Sequence, residues 1–325
     1  MTLLPFVVGF STSYVLLYVL FPFLSRFFSD SPNFRSSHVL ITPRGGGIVF
    51  VLISSVASFW ATFDSSLDPS ASFLFRAAPL ISLPLAIFGF IDDYIGLSRS
   101  IRYFVQLLTA IVVILLCPFF DGFVYWYSFL LFLFLLFSAT AVTNFVNFMD
   151  GLDGIVCGSL FVAFSVVAFL HSSSFHLIVT LGALLAFLCW NWSPARIFMG
   201  DVGSTFLGSV YFSCVISSSS WVEAFSLMLL ITPLLADPFV CLLRRFFSGQ
   251  PVFHAHRLHL FQRLHQAGWT HARVSTLYIM AIFVLGVALL FGGLSWLIIL
   301  ASLELLIGLL LDLRVAVPFT TASRS

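Results

Sequence analysis

The stretch NFVNFMDGLDG, residues 144–154, sets two carboxylates, Asp150 and Asp153, three residues apart beside Asn144 and Asn147. If a helix carries them inward, positions i and i+3 share a face, and Asn147 joins from three residues back. Gly151 and Gly154 leave room for a ligand's phosphates to approach the backbone. Such a group suits a hydrated metal ion or a nucleotide; the plainer alternative is a glycine-rich turn whose aspartates cap the next helix. Four other stretches carry residues of the same kind. GFIDDYIGLSRS, 89–100, puts Asp92 and Asp93 side by side, a repulsive pair that calls for a cation, a shared proton or open solvent. NWSPARIFMGDVGST, 191–205, places Asp201 where it can ligate Mg²⁺, a hard cation that takes one or two protein carboxylates with phosphate oxygens and water, or simply cap a helix. Phe198 in the same stretch is an aromatic that can stack on a base.

FHAHRLHLFQRLHQAGWTH, 253–271, is the most basic loop, and His254, His256, Arg257, His259 and Arg263 can clamp a diphosphate. Zinc is the alternative for so many histidines, disfavoured because no cysteine lies near in sequence and the carboxylates elsewhere favour a hard metal; a solvated loop on anionic lipid is a third reading. SPNFRSSHVLITPRGGGI, 31–48, adds Arg35, His38 and Arg44 ahead of three glycines.

These residues are embedded in a chain that is 60% hydrophobic and 8% charged over 325 residues, with 41 phenylalanines and a mean hydropathy of +1.11. That excludes an ordinary soluble domain. The apolar runs do not alternate as the strands of a membrane barrel would. The expectation is an all-α integral membrane protein, a polytopic bundle of about eleven transmembrane helices in one domain, over 3–24, 45–63, 73–91, 103–120, 123–142, 155–171, 175–191, 203–219, 222–243, 274–291 and 293–312. The first run lacks a basic flank and a small-residue cleavage site, so it reads as a retained span. Cys117, Cys157, Cys189, Cys214 and Cys241 are scattered through apolar runs with no CxxC, which argues for buried small side chains over disulfides or zinc. A net charge of +1 without a basic run argues against nucleic acid as a partner.

With the N-terminus outside, 13 of the 14 arginines fall in inner loops or the C-terminal segment, and only Arg76 falls outside. That asymmetry puts the C-terminus in the cytoplasm and favours an odd number of spans. Asp92, Asp93, Asp150, Asp153, Asp201 and Asp237 gather on the same inner side, as does most of the histidine. Acids at one interface suit Mg²⁺-dependent chemistry on a diphosphate at the membrane surface. The rival is an ion-coupled secondary transporter, whose acids belong at the bilayer midplane.

In order, PNFRSSH, TPRGGG, IDDYIG, NFVNFMDGLDG, FMGDVGS and HAHRLHLFQRL run along nearly the whole chain. Together they resemble the polyprenyl-phosphate N-acetylhexosamine-1-phosphate transferases, which include the bacterial phospho-N-acetylmuramoyl-pentapeptide transferases and the enzymes that initiate O-antigen and teichoic-acid linkage synthesis. The resemblance implies transfer of an aminosugar 1-phosphate from a UDP-N-acetylaminosugar to undecaprenyl phosphate, with release of UMP. It implies Mg²⁺, with Mn²⁺ as a substitute, membrane lipid around the chain, a site on the cytoplasmic face of the inner membrane, and compatibility with a homodimer. By position, Asp201 would ligate the metal, Asp92 and Asp93 would lie by the lipid phosphate, and Asp150 and Asp153 would belong to the nucleotide and metal region together with Asn144 and Asn147. Asn191 and Phe198 would hold the uracil, and His254, His256, Arg257 and His259 the sugar diphosphate. Some relatives carry a Lys in the first inner loop; this chain has none, which leaves Arg35, His38 or Arg44 for that place. HAHRLHLFQRL looks closer to the branch that starts O-antigen with N-acetylated deoxyaminosugars; the peptidoglycan and teichoic-acid variants are the alternatives.

Overall fold

The computed structural model describes residues 3–30, 41–64, 66–68, 71–120, 122, 126–171, 174–251 and 256–322. Arg35, His38 and His254 lie outside the described residues. In chain order the elements are α1 (Leu3–Phe27), a short ribbon of β1 (Ser29–Asp30) and β2 (Thr42–Pro43), α2 (Ile48–Phe63), α3 (Phe73–Ile81), α4 (Leu83–Ile95), α5 (Arg99–Leu115) and α6 (Trp126–Met149). There follow α7 (Ile155–Leu170), α8 (Phe175–Asn191), α9 (Asp201–Ile216), α10 (Trp221–Leu230), α11 (Thr232–Phe247), α12 (Leu260–Gln266), α13 (His271–Arg314) and α14 (Phe319–Ala322). Helix dominates because a chain this apolar must satisfy its backbone polar groups within each segment.

Each of the eleven apolar windows overlaps a helix or pair of helices among the described residues. Four segments are long and apolar enough to cross a membrane, Leu3–Phe27, Phe73–Ile95, Trp126–Met149 and His271–Arg314, and α10 with α11 would make a fifth. Helices α2, α7, α8 and α9 are apolar but of 16 or 17 residues, so a count of eleven needs these four, α5 of 17 residues and each half of α13 to cross as well. This is a multi-pass membrane protein.

Two windows differ from a single straight span. The 222–243 window is broken at Ile231 and bends by 72°; Pro233, at the start of α11, has no N–H to continue the ladder of α10. Conversely, α13 contains Gly293 at φ 67°, ψ −165°, where its two halves meet. Its first residue, His271, lies 3.1 Å from Asp153, while Asp312 near its far end pairs with Arg244 and Arg263 on the segments that lead into it. A straight 44-residue helix would run about 66 Å, so both ends reach the same end of the bundle because the chain reverses at Gly293. This glycine supplies a backbone conformation that L-residues avoid, and the expected 274–291 and 293–312 spans are the two halves.

At the centre lies α9, whose residues after Asp201 are all buried. Small residues let its neighbours close in. A Cβ on Gly203 would sit 3.1 Å from Gly47 Cα, and one on Gly208 would sit 2.9 Å from Thr143 Cα. Backbone proximity of this kind drives helix association where lipid gives no hydrophobic advantage.

At the end opposite the acidic loops, Asp68 accepts the Phe175 N–H at 2.9 Å and lies 3.1 Å from His176 Nδ1. Burial pushes this carboxyl up, but the hydrogen bond and charge of His176 outweigh it, so it sits below its ordinary 3.8. A depressed carboxyl stabilises the fold above the unfolded value and loses that contribution as pH falls through the folded one. Asp68→Asn is therefore expected to lower the melting temperature in detergent at pH 6. The gap to the unsubstituted protein should close below about pH 4, and a gap independent of pH would contradict this pairing.

Candidate active site

The end of the bundle holding the acids is built by the turns and loops that join its helices. Helix α6 ends at Met149, and residues 150–154 form a turn: the Gly151 N–H bonds to Met149 O at 2.8 Å, and Gly154 takes a left-handed φ of 75°. The inward helix that would have aligned Asp150 with Asp153 is thus corrected to the glycine-rich turn, because these glycines terminate the helix. Asn191, at the end of α8, locks the turn: its Oδ1 accepts the Gly154 N–H at 3.0 Å and its Nδ2 donates to Ile197 O at 2.9 Å. Its buried amide thereby ties the 150–154 turn to the 192–200 loop.

The two aspartates separate in role. Asp153 lies 3.1 Å from His271 Nδ1 and accepts the Ala195 N–H at 3.2 Å, while Ser275 Oγ donates to its carbonyl at 2.7 Å. Burial raises its carboxyl, but the bond and charge of His271 bring it below its ordinary value. Asp150 has no hydrogen-bond donor on its carboxylate among the described residues. Burial, then the charges of Asp201 and Asp153, push it up to about 7. Asn147 Oδ1 accepts from Ser204 Oγ at 2.5 Å, joining α6 to α9, and Asn144 exchanges amide bonds with Gln106 of α5 at 2.8 and 3.3 Å.

At the start of α9, Asp201 is partly exposed and accepts from Arg102 Nη1 at 3.0 Å; the same nitrogen reaches Asp92 Oδ2 at 2.9 Å. Asp92 also accepts the Leu97 N–H at 2.5 Å. Asp93 turns the other way, into the protein, where it is 6% exposed and takes the N–H groups of Asp201 and Val202 at 3.3 and 3.4 Å. A carboxyl there caps the helix by accepting two of its first N–H groups. Arg44 stands 3.9 Å from Asp93 Oδ1 and donates to its carbonyl at 2.5 Å. Gly200, at φ 75°, must lack a side chain, since a Cβ would lie 2.3 Å from Asp93 Oδ2. Half-buried Phe198 is held by its backbone, donating to Pro43 O at 2.8 Å and accepting from Gly46 at 3.0 Å.

The basic loop joins from the other side. His259 is buried beside Phe148 and Phe261, with ring centroids at 6.1 and 5.7 Å, and Phe261 packs under Gly151, where a Cβ would meet the ring at 3.1 Å. Half-buried His256 lies 4.8 Å from the His259 ring. Arg257 accepts from Gln266 through its carbonyl at 2.9 Å.

Some of what organises this end is invisible in short motifs. Arg102, read only as one inner arginine, is the cation between Asp92 and Asp201. Asp237, read only as one of the acids gathered on the inner side, accepts the N–H groups of Leu260 and Phe261 at 2.7 and 3.0 Å and the Tyr278 hydroxyl at 2.7 Å, and so caps α12. Its signal was a charge inside the apolar run ITPLLADPFVCLL. The premise that no cysteine is near the histidines is also corrected, for Cys241 of α11 lies within 4.8 Å of both His256 and His259.

The carboxylates that could hold a hard divalent cation are Asp150, which has no donor among the described residues and is pushed up by the charge of Asp201, and Asp201, which shares Arg102 with Asp92. Residues 75–219 match the model of glycosyl transferase family 4. Over 240 residues the chain is 31% identical to the phospho-N-acetylmuramoyl-pentapeptide-transferase of Wolbachia pipientis wMel, covering 62% of this chain and 71% of that one. The chain belongs to glycosyl transferase family 4. A probable undecaprenyl-phosphate N-acetylglucosaminyl 1-phosphate transferase of Bacillus subtilis strain 168 is 26% identical over 300 residues, covering 84% of this chain and 80% of that one. The phospho-N-acetylmuramoyl-pentapeptide-transferase of Streptococcus pneumoniae serotype 2 strain D39 is 31% identical over 193 residues, covering 52% and 57%. The family-4 match encloses Asp92, Asp93, Asp150, Asp153, Asn191 and Asp201 and ends before the histidine loop.

Proposed function

We propose that this protein transfers an N-acetylated aminosugar 1-phosphate from a UDP-sugar to undecaprenyl phosphate, releasing UMP, at the cytoplasmic face of the plasma membrane. The product would initiate O-antigen or a related envelope polysaccharide, with the peptidoglycan or teichoic-acid variant as the second reading. The observation that carries it is the meeting of Asp92 and Asp201 on Arg102, with Asp150, which has no donor among the described residues, facing the charge of Asp201 at the same end of an apolar helical bundle. The names of the relatives, which act on undecaprenyl phosphate or a phospho-sugar peptide, support the same chemistry. Carboxylates gathered at one end favour surface transfer over a midplane ion path. The arginine distribution supports the cytoplasmic side and an odd number of crossings.

In this reading Asp201 and Asp150 would hold Mg²⁺, with Asp92 on the same side, and the ion would supply charge neutralisation to the diphosphate. The lipid phosphate oxygen attacks the β-phosphorus of the UDP-sugar, the bond from that phosphorus to the bridging oxygen breaks, and UMP leaves with the electron pair. Such a step rests mainly on positioning and charge neutralisation. Arg102, freed from Asp201 and still held by Asp92, is placed to receive the acceptor phosphate. Asp93 keeps the α9 N-terminus in place. Phe198 stacks on the uracil, and His256, His259 and Arg257 border the sugar diphosphate.

The test is UMP release by purified protein with undecaprenyl phosphate and a panel of UDP-N-acetylhexosamines, with Mg²⁺ and with EDTA. Metal-dependent release with one donor is expected; no release and no binding of UMP by folded protein would overturn the reading. Phe198→Ala is expected to raise KM for the UDP-sugar more than it lowers kcat, since stacking holds ground state and transition state alike. The reverse pattern would remove Phe198 from the uracil site.

A further inference from the structure

We propose that His271 is a positioning residue for nucleotide binding, acting through Asp153, whose carboxylate it holds as a clasp between the 150–154 turn and the 192–200 loop. His271 lies outside the family-4 match, which ends at residue 219, and its role rests on the function proposed for this site. Its Nδ1 lies 3.1 Å from Asp153 Oδ2, and both side chains are nearly buried, at 12% and 9% exposed. The same Oδ2 accepts the Ala195 N–H at 3.2 Å. Ser275, one turn further along α13, donates to the Asp153 carbonyl at 2.7 Å, so one face of the first turn holds this residue at two points. The His271 ring is itself held. The His265 ring meets it edge-on at 4.5 Å, and His265 Nδ1 donates to the Trp269 carbonyl at 2.8 Å. Trp269 in turn lies under the Arg273 guanidinium at 3.8 Å.

Asp153 joins the two segments that a bound nucleotide spans. Asp150, three residues before it, is the carboxylate offered to the metal at one end, and Phe198, three residues beyond Ala195, is the base platform at the other. Asn191 ties the same segments through Gly154 and Ile197, but with neutral amide bonds. Asp153 is charged and repels Asp150, so its place has to be held against that repulsion. Among the described residues the basic side chain paired with it is His271. Without that partner the carboxylate is buried beside a like charge, a state relieved by turning toward water. The Ala195 N–H is then released, and the spacing between Phe198 and Asp150 is no longer fixed. A nucleotide held at both ends loses contacts in the ground state and the transition state alike, which weakens binding more than it slows the chemical step.

The test is calorimetric titration of UMP into the purified protein in detergent. His271→Phe keeps a ring against His265 and removes the donor, and it should weaken UMP binding about tenfold. His271→Ala, which any packing accommodates, should weaken it at least as much. His271→Asn sets an amide N–H near the place of Nδ1 and should recover most of the affinity. In UMP release, His271→Phe should raise KM for the UDP-sugar more than it lowers kcat. The proposal is overturned if a folded Phe or Ala variant binds UMP as tightly as the unsubstituted protein, or if the Asn variant is as weak as the Phe variant. A fall in kcat with unchanged UMP affinity overturns it as well. Each of these outcomes leaves the transferase function standing, whereas failure of the unsubstituted protein to bind UMP removes both.

Discussion

Asp201→Ala is expected to lower kcat/KM for UMP release by at least about a hundredfold while the protein still folds. The magnitude follows from removing a carboxylate that neutralises charge in a phosphoryl-transfer transition state, where several kcal/mol of barrier are at stake. The fold should tolerate the change: the Asp201 side chain is 27% exposed, and the backbone N–H groups that start α9 remain capped by Asp93. Arg102 keeps Asp92 at 2.9 Å, so the loss of one carboxylate does not leave that guanidinium alone. The measurement is steady-state UMP release against Mg²⁺ concentration, with gel filtration and melting temperature as controls for folding. The activation constant for Mg²⁺ should rise as well as kcat/KM fall. Near-wild-type turnover in a folded variant would remove Asp201 from the chemistry, and a low melting temperature with an unchanged Mg²⁺ profile would reassign it to helix capping.

How far this could be read beforehand depends on the length of chain over which each feature is written. Helix positions were legible because lipid forces each crossing segment to be apolar and internally bonded; residues 274–291 and 293–312 were separable even though the backbone joins them through Gly293. The break at Ile231 was signalled by Pro233 alone, and a proline in an apolar run reads equally as a kink within one span. The acidic motifs were legible as residues but not as geometry. Asp92 and Asp93 are neighbours in sequence, yet one faces Arg102 and the other caps α9, a division made by α9, over a hundred residues later. The turn at 150–154 was open between two readings until the Asn191 amide, 37 residues away, was seen holding it. Cys241 stands 15 and 18 residues from the two histidines in no recognisable spacing, and only the bend between α10 and α11 with the return into α12 brings them together.

The largest loss of stability is expected from Asp312→Ala. This carboxylate, with a side chain 9% exposed, sits between Arg244 at 2.6 Å and Arg263, whose own side chain is 3% exposed. Arg263 is otherwise spent on backbone: Nε donates to Leu258 O at 3.0 Å and Nη1 to Val317 O at 2.9 Å, and Phe319 covers its guanidinium at 5.8 Å. Without Asp312 a buried cation is left with carbonyl dipoles alone. Breaking a buried pair from one side costs about 3–5 kcal/mol, far more than the pair itself contributes. The melting temperature in detergent should fall by several degrees, and the segment 258–263, which carries His259 and Phe261, should become the first to exchange its amide hydrogens. Replacing Arg263 by Met in the same chain should restore much of the loss, because the unpaired charge is then gone. If Asp312→Ala melts with the unsubstituted protein, or if Arg263→Met makes it worse by its full separate cost, the charge on Arg263 is not what holds α12 against the end of α13.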